Sequence, residues 1–270
     1  MGDRPRVVVV MPAYNAARTL EACLSDVPRD CVDEIVLVDD ASRDGTADLA
    51  ESLGLSVIRH PRNRGYGGNQ KTCYREALAC GGEIVVMVHP DHQYDPKVIP
   101  ELIAPIAAGR CDATFGSRML GGKAREGGMP WWKYVANIAL TRLENAVLGL
   151  GLTEYHSGFR AYSRRYLESV RFEANAEAFV FDSEIIAQGI LAGQRFEEIP
   201  IATRYFPEAS QVRFWGSVRY GLGIMSMLGR FILHRRGIRR YQQFVPVAVG
   251  ERRRSTGEQH AREEAPQASE

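Results

Sequence analysis

The chain is poor in cysteine, in net charge and in long apolar runs. Its five cysteines are odd in number and none is spaced as Cys-x-x-Cys. That excludes a disulfide scaffold and reads as reduced, structural thiols in a cytosolic protein. The longest apolar stretch is the ten residues from Tyr220 to Gly229, between Arg219 and Arg230. A bilayer-spanning helix needs about 20, so no transmembrane helix is expected. The N-terminus runs straight into a strand-like segment with no signal-peptide pattern, and no internal repeat is found. A net charge of +1 argues against a nucleic-acid-binding protein.

What is present fits a folded soluble protein. Hydrophobic residues make up 45% and charged residues 25%, which excludes disordered, collagen-like and coiled-coil chains. The 270 residues can bury a large core. The charge is unevenly placed. Residues 213–254 carry ten arginines and one glutamate, a local net of +9. The body before them is mildly acidic, and the tail after them is acidic again. A basic segment on such a body predicts attraction to an anionic surface or a phosphate-bearing ligand.

Apolar runs at Val7–Met11, Ile35–Val38 and Ile84–Val88 read as strands buried on both faces. Shorter strands are expected at 56–59, 112–116 and 196–201. Helices are expected at 16–24, 42–53, 69–79, 96–108, 131–148, 181–192 and 214–236, with Pro12 ending the first strand and the glycine-rich residues 63–68 forming a loop. Residues 118–130 read as a mobile glycine-rich loop, and 154–162 as polar and extended. Alternating strands and helices predict an α/β fold, a mostly parallel sheet flanked by helices. The expected organisation is a catalytic domain over 1–212, a basic amphipathic helical segment over 213–248 and a disordered tail over 249–270.

In such sheets ligands bind beyond the carboxyl ends of the strands. Tyr14 and Asn15, Asp39 and Asp40, and residues 89–95 fall there. Two carboxylates after a buried strand either cap the next helix or accept hydrogen bonds from a ribose or base. His89, Asp91 and Gln93 alternate, so an extended backbone turns them to one side. An imidazole, a carboxylate and an amide oxygen can hold a divalent cation. A structural histidine and an Asp-Pro turn are the competing explanation.

Several motifs then appear in order. They are Pro-Ala-Tyr-Asn after the first strand, Asp-Asp-Ala-Ser-x-Asp-Gly-Thr after the second, Asn-x-Gly-x-Gly before a helix, Asp-x-Gln-x-x-Pro after the fourth strand, and Ser157-Gly-Phe-Arg160 with Glu198-Ile-Pro-Ile-x-x-Arg204. Together they resemble glycosyltransferase family 2 over about residues 6–215. Within it the chain is most similar to polyprenyl-phosphate sugar synthases of the dolichyl-phosphate mannose synthase type. The resemblance implies a GT-A fold, a nucleotide-sugar donor and a bound Mg²⁺ or Mn²⁺. It places Pro12, Tyr14 and Asp39 on the nucleotide, with Asn15, Asp40, Gly65 and Asn69 beside them. The family's Asp-x-Asp metal motif falls on His89-Pro-Asp91, so a histidine replaces the first acid. Asp91 is then expected to hold the metal with Gln93 and His89. The family's Gly-x-Ser-Lys motif falls on Glu208-Ala-Ser-Gln211, whose missing lysine Arg213 would replace.

Arg118, Arg204 and Arg213 are candidate diphosphate clamps, since guanidinium binds phosphate in bidentate fashion. Asp182 matches the position of the family's acidic base, and Glu154 is a second candidate. The expected reaction is an inverting sugar transfer. The acceptor is expected to be a polyprenyl phosphate at the inner membrane face, contacted peripherally through the stripe Ile224, Met227, Leu228 and Phe231. The same stripe also fits core packing. A soluble hydroxyl acceptor, a sugar-phosphate nucleotidyltransferase and a silent nucleotide-sugar-binding module are the alternatives. Nucleotidyltransferases of this strand order carry a glycine-rich basic loop after the first strand, where this chain has Met11-Pro-Ala-Tyr-Asn15. A dinucleotide oxidoreductase is discounted, because Gly65-Tyr-Gly-Gly-Asn-Gln70 lacks the last glycine of that fingerprint.

Overall fold

The computed structural model describes residues 4–120, 128–204 and 214–247. Seven strands form one sheet: β1 (Val7–Ala13), β2 (Glu34–Asp39), β3 (Ser56–Arg59), β4 (Ile84–Met87), β5 (Ala113–Ser117), β6 (Arg160–Ser163) and β7 (Phe196–Pro200). Their order across the sheet is β3-β2-β1-β4-β6-β5-β7. All neighbouring pairs are parallel except those made by β6, which runs antiparallel to both β4 and β5. The helices are α1 (Leu20–Ser25), α2 (Thr46–Ser52), α3 (Gly65–Ala79), α4 (Ile99–Ala107), α5 (Trp131–Leu148), α6 (Arg164–Ser169), α7 (Phe181–Leu191) and α8 (Phe214–Arg235).

The period of two along the strands explains the layers. Val8, Val10, Val36, Val38, Val85 and Met87 turn to one face, where they meet residues of α3, α7 and α8. Val7, Val9, Met11, Ile35, Leu37, Ile84 and Val86 turn to the other, against α1 and α4. Both faces are dry, which is why these strands read as unbroken apolar runs.

Four expectations are corrected. Pro12 does not end β1; it pairs in register with Val38. The β1–β4 pairing stops at Val10 and Met87, so on that side the missing N–H of Pro12 forfeits no ladder bond. Helix α3 begins at Gly65, four residues before Asn69. Gly65 takes φ +80, and a Cβ on Gly67 would lie 2.3 Å from the Ala176 carbonyl oxygen. These glycines let residues 176–178 lie directly on the helix's first turn; they are not loop signals. The first helix starts at Leu20, since residues 17–19 form a turn. Finally, Ile224, Met227, Leu228 and Phe231 of α8 are buried in the core under the sheet, so this stripe does not meet a membrane. No helix among the described residues is long and apolar enough to cross one. Residues 249–270, expected to be a tail, lie outside the described residues.

Candidate active site

The carboxyl ends of β1, β2 and β4 carry the polar residues singled out in the sequence. The loops after β1 and β2 are laced together. Asn15, at φ 52, donates its N–H to Ser42 Oγ at 2.8 Å and accepts from the Arg43 N–H at 2.9 Å. The Ala17 and Ala16 N–H groups donate to Asp44 and Thr46. Asn69 donates to the carbonyls of Val38 and Ala13, at 2.9 and 3.4 Å, and so ties the ends of the two strands from below. Tyr14 stands over this platform with its ring exposed.

Asp39 and Asp40 have different tasks. Asp40 is fully engaged: it accepts from His60 Nδ1 (2.7 Å) and from the N–H groups of Arg64 (2.8 Å) and Gly65 (2.9 Å). It is the anchor for the first turn of α3, with His60 held in turn by Thr72 at 2.9 Å. That places Asp40 and Gly65 behind the laced β1–β2 loops, with both Asp40 oxygens taken up by the protein. Asp39 uses Oδ2 to accept from the Ser42 N–H at 3.0 Å, while its Oδ1 is buried without a hydrogen-bond partner. An unpaired buried carboxylate oxygen is costly unless a donor reaches it. A ribose hydroxyl or base N–H fits that need.

The loop after β4 lies beside residues 157–160. Met87 pairs with Arg160, and continuing this antiparallel register brings His89 opposite Gly158. A Cβ on Gly158 would lie 2.5 Å from His89 Nε2, so only glycine leaves room for the imidazole. The His89 ring lies parallel to Tyr66 at 5.6 Å, with Nε2 3.5 Å from the Tyr66 hydroxyl. Burial pushes the His89 imidazole below its usual value, against the opposing pull of Asp91 and Asp182. Asp91 accepts from the Gln93 N–H through Oδ1, and burial raises its carboxyl above the usual range. No group of three or more His, Cys, Asp or Glu side chains converges on a metal position among the described residues. One semi-buried carboxylate fits a hard divalent cation that takes most of its ligands from water and substrate phosphates. The Nε2 edge of His89 is turned to Gly158 and Tyr66, which suits packing. Gln93 is fixed by its carbonyl, which accepts from the Arg204 N–H at 2.9 Å. Arg204 pairs with Asp95 at 3.1 Å, so it borders the β4 loop and not Asp182.

Asp182 opens α7 in a buried network. Oδ2 accepts from the Tyr66 hydroxyl at 2.8 Å, Oδ1 accepts from Gln70 Nε2 at 3.1 Å, and the Arg160 guanidinium stands 3.6 Å from Oδ2. Arg160 is itself fully buried and also donates to the carbonyls of Ser157 and Tyr155, both at 2.6 Å. Burial and the Asp182 charge push the Tyr66 phenol well above its usual value, which keeps it a donor. Tyr66 thus joins His89 to Asp182, and its other face meets Phe179 at 4.5 Å. Tyr66 and Gln70 were not foreseen. The available signal was that Tyr66 is the one side chain in the run Gly65-Tyr-Gly-Gly68.

Glu154 is put to another use than a base. It accepts from the N–H and guanidinium of Arg118 and from Asn137 Nδ2 at 2.8 Å. Burial alone would raise its carboxyl, but Arg118 outweighs burial and holds it below the usual range. Arg118 is correspondingly committed to Glu154 and to the His156 carbonyl. Arg213 and residues 208–211 lie outside the described residues, as do residues 121–127 of the expected mobile loop.

Beneath α7 sits a second buried cluster. The Ser183 hydroxyl donates to Glu144 Oε1 at 2.7 Å, and His156 Nδ1 meets the Tyr220 hydroxyl at 2.9 Å. Glu144 Oε2 and His156 Nε2 face each other at 3.3 Å. Burial pushes the Glu144 carboxyl up to about 8 and the His156 imidazole down to about 4. Both shifts favour the uncharged forms.

Replacing Asp39 with alanine is expected to weaken nucleotide-sugar binding roughly ten- to hundredfold, the worth of a hydrogen bond to a charged group. Turnover at saturating donor should change far less, because such contacts are equal in ground and transition states. Calorimetric titration with a panel of nucleotide sugars, beside steady-state kinetics, checks both. An unchanged Michaelis constant with a collapsed turnover number would reverse the assignment.

Comparisons with known proteins show the family and the fold. The chain is 29% identical to the undecaprenyl-phosphate mannosyltransferase of Micrococcus luteus, over 73% of this chain and 82% of that protein. It is 28% identical to the polyprenol monophosphomannose synthase of Mycolicibacterium smegmatis, over 73% of this chain and 76% of that protein. Among solved structures, the glucosyl-3-phosphoglycerate synthase of Mycobacterium tuberculosis in complex with Mn²⁺ and UDP-glucose superposes with a TM-score of 0.66. It is 20% identical and covers 84% of this chain and 79% of that one, a likeness that shows the GT-A-like fold. Residues 8–171, which hold the laced β1–β2 platform, the β4 loop and the Ser157–Arg160 motif, match the glycosyl transferase family 2 pattern; the chain is a glycosyltransferase and belongs to that family.

Proposed function

We propose that the enzyme moves a sugar, with inversion, from a nucleoside-diphosphate sugar to a polyprenyl phosphate at a membrane surface. The observation that carries the acceptor class is the state of Asp182. Both its oxygens accept hydrogen bonds inside the protein, from Tyr66 and Gln70, with Arg160 alongside. A hydroxyl acceptor needs a base that can reach its proton, and Asp182 could serve as one only through the lone pairs that Tyr66 and Gln70 leave free. A phosphate monoester has a second pKa of about 6 and is already anionic at neutral pH, so its oxygen attacks without one. The names of the two relatives, both polyprenyl-phosphate enzymes, support the same class.

In this reading Asp39 and Tyr14 receive the nucleoside, and Asp39 Oδ1 takes a donor from the ribose or base. Asp91 would hold Mg²⁺ or Mn²⁺, which when bound supplies charge compensation for the donor diphosphate. Arg204, which borders the β4 loop, adds positive charge on the leaving-group side. The acceptor oxygen forms the new bond to the anomeric carbon while the bond to the diphosphate breaks, its electron pair leaving with the nucleotide. Tyr66, Gln70 and Arg160 hold the Asp182 charge neutralised, so it does not repel the incoming phosphate. The basic C-terminal segment draws the protein to the inner, anionic face of the cell membrane.

The test is Asp182→Asn. With a polyprenyl phosphate acceptor the turnover of the folded protein should fall by less than about tenfold. With a hydroxyl acceptor, loss of the general base should cost ~10²–10⁴-fold. Radiolabelled transfer to a polyprenyl phosphate, compared with a panel of soluble sugars, decides between them.

A further inference from the structure

The buried stripe of α8 leaves open which part of the protein meets lipid. Buried Ile224, Met227, Leu228 and Phe231 define the inner face of α8. The opposite face, at i, i+4 and i+7, carries Val218, Leu222 and Met225, which are 39%, 59% and 51% exposed. The neighbouring helix α5 repeats the arrangement. Asn137, Thr141, Glu144 and Leu148 are buried, while Trp131, Val135, Ala139 and Leu143 form an exposed row four residues apart. Trp131 is 69% exposed and Val135 55%. The two helices contact each other. Both press their inner faces on the same core, so both turn their apolar rows outward. Large apolar side chains in two adjacent rows are not ordinary surface and mark a contact site.

The charge around these rows selects the occupant. Residues 214–247 contain no aspartate or glutamate. Arg219, Arg235, Arg236, Arg239 and Arg240 are exposed, and among the described residues none of them makes an ion pair. Apolar rows with Arg219 among them and four more exposed arginines at and past the end of α8 complement a surface that is apolar below and anionic above, the interface of an acidic bilayer. The rows also adjoin the acceptor side of the site. Tyr220 of α8 bonds to His156, and its ring centroid lies 6.4 Å from that of Phe179, whose ring packs at a tilt against Tyr66.

We propose that the outer face of α5 and α8, centred on Trp131, Val135, Val218, Leu222 and Met225, docks on an anionic lipid surface and presents the Asp182 side of the site to it. This rests on the polyprenyl phosphate reading for its purpose, but its test does not. The probe is co-sedimentation with vesicles of phosphatidylcholine alone and of phosphatidylcholine mixed with phosphatidylglycerol. Wild-type protein should bind the mixed vesicles at low salt, bind the neutral ones at least tenfold less, and lose binding as salt rises. Leu222→Ser with Met225→Ser should reduce binding at least tenfold without lowering the melting temperature, since both side chains are exposed. The same variant should transfer sugar at the wild-type rate to a short-chain, water-soluble polyprenyl phosphate without vesicles, and more slowly to a long-chain one in vesicles. Wild-type protein that ignores anionic vesicles, a double variant that binds as wild type does, or a dimer in solution that the double variant breaks would each overturn the docking face. Vesicle binding through this face by an enzyme that uses no polyprenyl phosphate would instead overturn the acceptor and leave the face standing.

Discussion

Asp91→Ala is expected to lower turnover by ~10²–10⁴-fold, the equivalent of several kcal/mol of charge stabilisation on the leaving diphosphate. Asp91 is the carboxylate that follows β4 into the site, and one of its oxygens is already tied to the Gln93 N–H. The fold should survive, because removing a carboxyl that burial has pushed upward relieves desolvation and breaks only that one turn bond. Two measurements check the role. Steady-state turnover should collapse at every Mn²⁺ or Mg²⁺ concentration. The stabilisation that Mn²⁺ adds in the presence of a nucleoside diphosphate should disappear from thermal melts, since ligand-linked stability depends on native-state binding. Near wild-type turnover at saturating metal would remove Asp91 from the metal role. Asp91→His, which mimics the replacement already present at position 89, should recover little with Mg²⁺, a cation that prefers oxygen ligands.

The Glu144–His156 pair predicts an unusual pH profile of stability. The Glu144 carboxyl is raised from 4.5 to about 8 in the fold. Between those values the folded state holds a proton that the unfolded chain has released, so stability falls as pH rises through that window. His156 is lowered from 6.5 to about 4. There the unfolded chain binds the proton first, so stability falls as pH drops below 6.5. The two effects meet in a maximum near pH 5 to 6. From that maximum to pH 8 the loss from Glu144 is about 3 kcal/mol at 1.36 kcal/mol per unit. Glu144→Gln keeps an acceptor for Ser183 and cannot ionise. It is expected to flatten the alkaline limb and raise stability at pH 8 by most of that amount. Urea denaturation from pH 4.5 to 8.5 checks the sign, and a wild-type curve that rises toward pH 8 would show that the pair carries charge in the fold.

The parts of this protein that could be read from its sequence are those where one residue type has one explanation. Val7–Met11, Ile35–Val38 and Ile84–Val88 are unbroken apolar runs because both sheet faces are covered, and no surface element tolerates such a run. Asp39 is the last residue of β2 and Asp91 follows β4, and in a parallel sheet the carboxyl ends of the strands mark the ligand side. What stayed hidden depended on partners far away in the chain. Tyr66 and Asp182 are separated by 116 positions, and neither carries a sign of the other. Glu154 has the chemistry of a base, and Arg118 with Asn137 uses up that chemistry. Strand β6 reads Arg-Ala-Tyr-Ser, a polar string that becomes a central strand because Arg160 is satisfied by Asp182 and by two backbone carbonyls. The periodicity of α8 correctly showed two faces but could not show which one met the core. The start of α3 stays hidden because Gly65, Gly67 and Gly68 read as a loop, whereas the lack of side chains at Gly65 and Gly67 admits the 176–178 segment.

The position of β6 also sets an order of events during synthesis. Strand β4 pairs with β1 on one side and with β6 on the other, and β5 pairs only with β6 and β7. A nascent chain that has emerged as far as Ser117 can assemble β3-β2-β1-β4. It then leaves the free edge of β4 and the whole of β5 bare until residues 160–163 and 196–200 arrive. At ~5–20 residues per second that interval lasts several seconds. Through it Phe115 and the edge backbone of β4 are open to other strands, the usual route to misassembly. Insertion of β6 closes two edges at once, and because Arg160 brings the Ser157-Gly-Phe segment with it, the same event seats Gly158 against His89. Maturation of the sheet and assembly of the Gly158–His89 contact are thus one late step, and truncation between Ser117 and Arg160 should yield an aggregating fragment that holds β3-β2-β1-β4 and the loops after β1 and β2 alone.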